Sequence, residues 1–227
     1  MSKRKSESEI AVDSKRSKLT PKKLDRKFFD QPCKDLAIAL LGTVLVREHS
    51  GSLIKGKIVE TEAYLGGVDK AAHSYEGKKT SRNEAMFMCP GTCYVYSIYG
   101  VHNCVNISSR GEGAAVLIRA LEPVNGVELM RTLRGKVAGK DHELCKGPGN
   151  LCKALNITKE FNKVDLTSSD EIWLEQDQPT CTVEILSSSR IGVDYAGPEW
   201  SSKLLRFFVK DSWAVSKHKT RIQTHNK

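Results

Sequence analysis

The chain has 227 residues, enough for one domain with a full hydrophobic core. Apolar residues make up 39%, and no apolar run approaches membrane-spanning length, so a soluble protein with no membrane partner is expected. Of the formal charge of +9, +6 falls on residues 1–27 and +4 on residues 216–227, which leaves 28–215 at about −1. Basic tails on a near-neutral body predict salt-sensitive attraction to a polyanion. The expected organisation is a disordered basic tail (1–27), one domain (28–215) and a basic C-terminal tail (216–227). Lys3-Arg4-Lys5 and Lys15-Arg16-Ser17-Lys18 read as a nuclear address. The segment after Met1 lacks the apolar core of a secretory signal.

In chain order, apolar spacing predicts a helix over 34–41 that stops at Gly42. Strands follow over 43–48 and 53–62, joined by the hairpin signal His49-Ser50-Gly51-Ser52. Residues 66–79 are polar and contain glycine, so they read as a loop. Thr80 or Ser81 is placed to cap a short helix through Met86. Three strands are predicted over 94–99, 102–108 and 114–121, then helices over 124–136 and 143–155, then strands over 182–186 and 204–210. Strands grouped before helices, with hairpin connections, point to an α+β fold: a single compact mixed domain with a curved antiparallel sheet, a protruding β-hairpin and flanking helices.

The seven cysteines are odd in number and scattered, which fits a reducing compartment and free buried thiols. Cys89 and Cys93 form the only tight pair, and no HxxxH or second CxxC accompanies them, so no metal is expected. On a strand, Glu60, Glu62 and Tyr64 share one face and Val59, Thr61 and Ala63 the other. Two readings stand for the acids. They are either a two-carboxylate pair of the kind that cleaves sugars, or ordinary edge acids facing solvent or Lys55 and Lys57. Tyr94 and Tyr96 share a strand face, with Tyr94 assigned to the core. Tyr99 precedes Gly100 at a hairpin tip, where an exposed ring suggests a surface contact.

These residues fall within ordered motifs. They are Glu60-Thr61-Glu62-Ala63-Tyr64, Asp69-Lys70-Ala71-Ala72-His73-Ser74, Thr80-Ser81-Arg82-Asn83, Pro90-Gly91-Thr92 with Tyr94-Val95-Tyr96 and Tyr99-Gly100, and Asn106-Ile107-Ser108. Further along come Ala115-Val116-Leu117-Ile118-Arg119-Ala120-Leu121-Glu122-Pro123, Gly147-Pro148-Gly149-Asn150-Leu151 and Arg190-Ile191-Gly192-Val193. Over roughly 28–215 the chain resembles the alkyladenine (3-methyladenine) DNA glycosylases of the eukaryotic and bacterial type.

The resemblance implies a monofunctional, cofactor-free monomer acting on double-stranded DNA that contains damaged purines. It implies Glu62 as the general base for a water, with Arg119 and the backbone carbonyl of Ile191 positioning that water. An adjacent cation also favours the ionised carboxylate. Tyr64, His73 and Tyr96 would stack on a flipped base, and Asn106 would reject guanine by a clash. Tyr99 would fill the vacated stack, and Thr80 and Arg82 would touch the DNA backbone. No lysine stands in a nucleophile context, so hydrolysis is expected, not a Schiff-base step. The alternatives are a catalytically silent lesion-binding protein and the two-carboxylate sugar hydrolase.

Overall fold

Ser50 and Gly51 both take positive φ, 52° and 79°, as a two-residue type I′ turn requires. They join β1 (Val44–His49) to β2 (Ser52–Tyr64), with His49 paired to Ser52. The computed structural model describes residues 22–135, 140–177, 184–216 and 222–225. The two basic clusters read as a nuclear address and the start of the strand predicted over 182–186 lie outside the described residues.

β2 runs for 13 residues and organises the sheet. One edge pairs along most of its length with β5 (Ala115–Asn125). The other edge is shared: β1 takes the first half, and β8 (Arg206–Val209) pairs with Glu60, Thr61 and Glu62. Beyond β5 lie β4 (His102–Ser108) and β3 (Cys93–Ile98). Beyond β8 lie β7 (Ile185–Ser188) and β9 (Gln223–His225), while β6 (Ile172–Glu175) borders β1. All these strand pairs are antiparallel, and the nine described strands form one sheet. With six described helices this is a single mixed α+β domain, the expected class.

Helix α1 spans Arg26–Phe29, capped by Asp25, and α2 spans Cys33–Ala39. Leu36, Ala37 and Leu40 of this region are fully buried with Ile58, Ile118 and Leu121 of the sheet. Each such leucine or isoleucine contributes about 1.5–3 kcal/mol by leaving water. Thr61 donates its hydroxyl to the Ala37 carbonyl at 2.8 Å, which ties α2 to the C-terminal part of β2. Residues 22–27, assigned to the tail by composition, include a backbone hydrogen bond from Leu24 N to Leu174 O at 2.8 Å. The packed body therefore begins upstream of Phe28, and β9 likewise lies within the segment assigned to the C-terminal tail.

Several predicted helices change. β5 continues to Asn125 because Lys55 and Gly56 of β2 still offer partners, so α3 covers only Val127–Arg134 after Gly126 at φ 75°. The helix expected over 143–155 is two pieces, α4 (Asp141–Leu144) and α5 (Pro148–Ala154), because Gly147 at φ 88° breaks the chain and Pro148 restarts it. A last short helix, α6, covers Pro198–Ser201. Neither Thr80 nor Ser81 caps a helix. A 3-10 turn over Glu84–Phe87 forms instead, and Asn83 organises the approach to it.

Candidate active site

Glu60 and Glu62 do not face solvent or the neighbouring lysines. Both are fully buried. Lys55 pairs with Glu175 and Lys57 with Asp177, each at 2.7 Å. An ionised carboxylate in that position must be paired and hydrogen-bonded, and Glu62 is. Its Oε1 accepts from the backbone N–H of Ile191 at 2.8 Å. Its Oε2 accepts from the Tyr64 hydroxyl at 2.9 Å and lies 3.3 Å from Arg119 Nη1. A carboxylate oxygen has two acceptor positions, so Oε1 keeps one free for a further donor such as water. For Arg119, burial works against the charge, but the carboxylates of Glu62 and Glu60 outweigh it and raise the guanidinium pKa.

Next to this group is a cavity of about 330 Å³ of non-atom space, part of it open to solvent. Tyr64, His73, Tyr96 and Asn106 line it, together with Tyr94, Met86, Ala71, Ala115 and Tyr195. Its mostly aromatic and apolar walls suit a flat ring system. The His73 ring stands edge-to-face to Tyr96 with centroids 4.7 Å apart, and its Nδ1 lies 2.9 Å from the Tyr94 hydroxyl. His73 is exposed at the mouth of the cavity. Burial of its ring atoms first, and the charge of Arg82 second, push its pKa below the ordinary value, so the ring is held neutral. Burial is also the main cause that pushes the Tyr96 phenol far up, with Cys104 and Tyr94 adding to it. Asn106 donates its amide to the Tyr94 carbonyl at 3.1 Å, which fixes its side chain in the wall.

The loop carrying His73 is pinned by a buried ion pair. Asp69 and Arg190 meet with both side chains fully covered. Asp69 also accepts the backbone N–H groups of Leu65 and Ala71, each at 3.0 Å. Arg190 donates to the Ala63 carbonyl at 2.9 Å and lies over the Tyr64 ring at 4.7 Å. Gly66 sits at φ 85° with the Glu112 carbonyl oxygen 2.3 Å from where a Cβ would be, so no other residue fits there.

The structure thus brings Glu62, Tyr64, Arg119 and Ile191 into one hydrogen-bonded group, and Tyr64, His73, Tyr96 and Asn106 around one cavity. Arg82 lies outside it, exposed, with its guanidinium 5.5 Å from the Tyr96 ring. The hydroxyl of Thr80 is committed to Asn83 Oδ1 at 3.0 Å, and Asn83 in turn donates to the carbonyls of His73 and Lys78. Tyr99 tips the β3–β4 hairpin, 95% exposed and held at φ 51°, beside Gly100 at 71°. A left-handed tyrosine costs about 1–3 kcal/mol and persists where the surrounding structure imposes it. Sequence reading gave Asp69 and Arg190 no role, although both stand inside the quoted motifs. It assigned Tyr94 to packing alone and left out Tyr195, whose hydroxyl bonds to the Ala71 carbonyl at 2.9 Å.

A sheet-borne carboxylate thus stands beside a cavity with aromatic walls, and an aromatic residue tips the hairpin three residues from that wall. The chain belongs to the methylpurine-DNA glycosylase family: residues 27–213 match the family model described as Methylpurine-DNA glycosylase (MPG). It is 50% identical over 204 residues to the DNA-3-methyladenine glycosylases of Homo sapiens and Mus musculus, covering 86% of this chain and 68% and 61% of those proteins. It is 44% identical over 203 residues to a putative 3-methyladenine DNA glycosylase of Clostridium tetani, covering 86% of this chain and 99% of that one. The aligned region is therefore about two thirds of the mammalian relatives and nearly the whole of the bacterial one.

Proposed function

We propose that this chain is a monofunctional DNA glycosylase that removes alkylated or deaminated purines from duplex DNA and so starts base excision repair. The observation that carries the reading is the Glu62 carboxylate, buried and held by three donors, next to a cavity walled by Tyr64, His73 and Tyr96. A base inside a duplex is out of reach, so the damaged nucleotide swings into the cavity while Tyr99 fills the gap in the stack. Alkylated purines carry positive charge, and electron-rich rings with a neutral His73 favour them. Asn106 disfavours guanine by crowding its amino group.

Glu62 takes a proton from a water aimed at the sugar C1′, with Arg119 and the Ile191 carbonyl orienting that water. The water oxygen bonds to C1′, the N-glycosidic bond breaks, and its electron pair leaves with the base. For a cationic base that pair neutralises the ring, so no acid is needed; a neutral base such as hypoxanthine must take up a proton as it leaves, and no side chain is assigned as its donor. No lysine stands in a nucleophile context within the sequence motifs, so the step is hydrolysis and not a Schiff-base one. Arg82 contacts the DNA backbone, and Thr80 does so through the turn it shares with Asn83. The basic clusters near the N-terminus support a nuclear location, and the protein acts as a monomer.

The test is base release from duplexes carrying 3-methyladenine, 7-methylguanine, hypoxanthine or ethenoadenine, each against undamaged DNA. Release from at least one is expected, and release from none rejects the reading. Lesion affinity without release would favour the silent binding protein instead. Tyr99→Ser is expected to weaken flipping by about 1–3 kcal/mol, the worth of one aromatic stack, while non-specific binding changes little. Ethenoadenine fluorescence reports the flip, and an unchanged signal on binding would remove Tyr99 from the stack-filling role.

A further inference from the structure

Glu60 has no part in the chemistry above, yet it is as deeply buried as Glu62. Its Oε1 accepts from Arg119 Nε at 3.0 Å and from Arg206 Nε at 2.6 Å. Its Oε2 accepts from the backbone N–H of Ser216 at 3.3 Å. Arg206 continues the network, donating to Ser188 Oγ at 3.1 Å and to the Ser216 carbonyl at 2.7 Å. Arg119 therefore lies between two carboxylates and gives a different nitrogen to each: Nε to Glu60 and Nη1 to Glu62. A guanidinium is a rigid planar fork, so fixing Nε fixes where the Nη atoms point. Held only by Glu62, Arg119 could rotate about that single contact.

We infer that Glu60 is the positioning residue for Arg119: its carboxylate orients the guanidinium toward Glu62 and the attacking water, and Arg206 with Ser216 hold that carboxylate in place. The inference rests on the glycosylase reading for its kinetic consequence, though not for its geometry. Two oxygens facing three donors leave no room for an NH₂ group, so Glu60→Gln turns at least one contact into a donor facing a donor.

The experiment uses the full chain and two readouts. In single-turnover excision, Glu60→Gln is expected to lower the maximal rate about tenfold or more, as misplacing a catalytic group does, with lesion affinity within about twofold of the parent. By NMR, the Arg119 Nε proton, assigned by its loss in Arg119→Lys, is expected to exchange slowly in the parent and faster in Glu60→Gln. A rate within twofold of the parent, a loss confined to affinity, or unchanged Nε exchange overturns the inference. Where Glu60→Gln gives no cooperative melt, Glu60→Asp keeps the buried charge while drawing the carboxylate back from Arg119 and Arg206 alike, and the same split between rate and affinity is expected. If the parent itself releases no base, the glycosylase reading fails, and the Nε exchange still decides whether Glu60 holds Arg119.

Discussion

Glu62→Gln is expected to bind lesion-containing duplex about as tightly as the parent and to release base about 10²–10⁴-fold more slowly, the usual worth of a general base. The substitution keeps the shape of the side chain, so the cavity and its stacking rings stay in place. It removes the charge and the basicity. It also replaces one acceptor with an NH₂ group, and both ends of the Glu62 carboxylate face donors: Ile191 N–H on one oxygen, Tyr64 and Arg119 on the other. Tyr64 can turn its hydroxyl to accept, but Arg119 has no acceptor to offer. Arg119 still keeps its contact with Glu60, so the fold should persist. Single-turnover release measured beside a binding titration checks this, and excision at the parent rate would exclude Glu62 as the base.

Asp69→Asn should destabilise the fold by about 3–5 kcal/mol, because it leaves Arg190 charged and buried without its counter-ion. Both carboxylate oxygens are shared between Arg190 and a backbone N–H, so the new amide nitrogen faces two donors whichever way it is turned. For a protein of this size the loss corresponds to roughly 6–20 °C in melting temperature. Denaturant melts of the variant and the parent measure it, and a difference below about 1 kcal/mol would show that the pair contributes little. Asp69→Ala combined with Arg190→Met should recover part of the loss, since no unpaired charge then remains. Excision should fall as well, because the same pair holds the loop that carries His73.

The elements that could be read from sequence are those whose cause is local. The β1–β2 turn is spelled by Ser50-Gly51. What could not be read depends on distant partners. β5 outruns its apolar pattern because β2 is there to pair with it. β6 is four residues long and is a strand through its pairing with β1. The helix over 143–155 looked continuous because apolar periodicity hides the left-handed Gly147. At the site, Glu62 and Tyr64 were placed together by strand spacing alone. Arg119, His73 and Asn106 came from the family resemblance. Glu60 stayed without a role because its partner Arg206 lies 146 residues away, and nothing in the local pattern joins them. The same holds for Asp69 and Arg190, 121 residues apart.

β2 is paired on both edges where it carries Glu60, Thr61 and Glu62, with β5 on one side and β8 on the other. Local openings of a protein release poorly paired loops and ends first, and doubly paired central strands last. Glu60 and Glu62 are therefore carried on backbone that opens late. In amide exchange the 60–62 stretch should open only with the whole domain. The acids are thus fastened to the slowest-opening part of the molecule, so their mutual geometry outlasts local fluctuations of the loops around them.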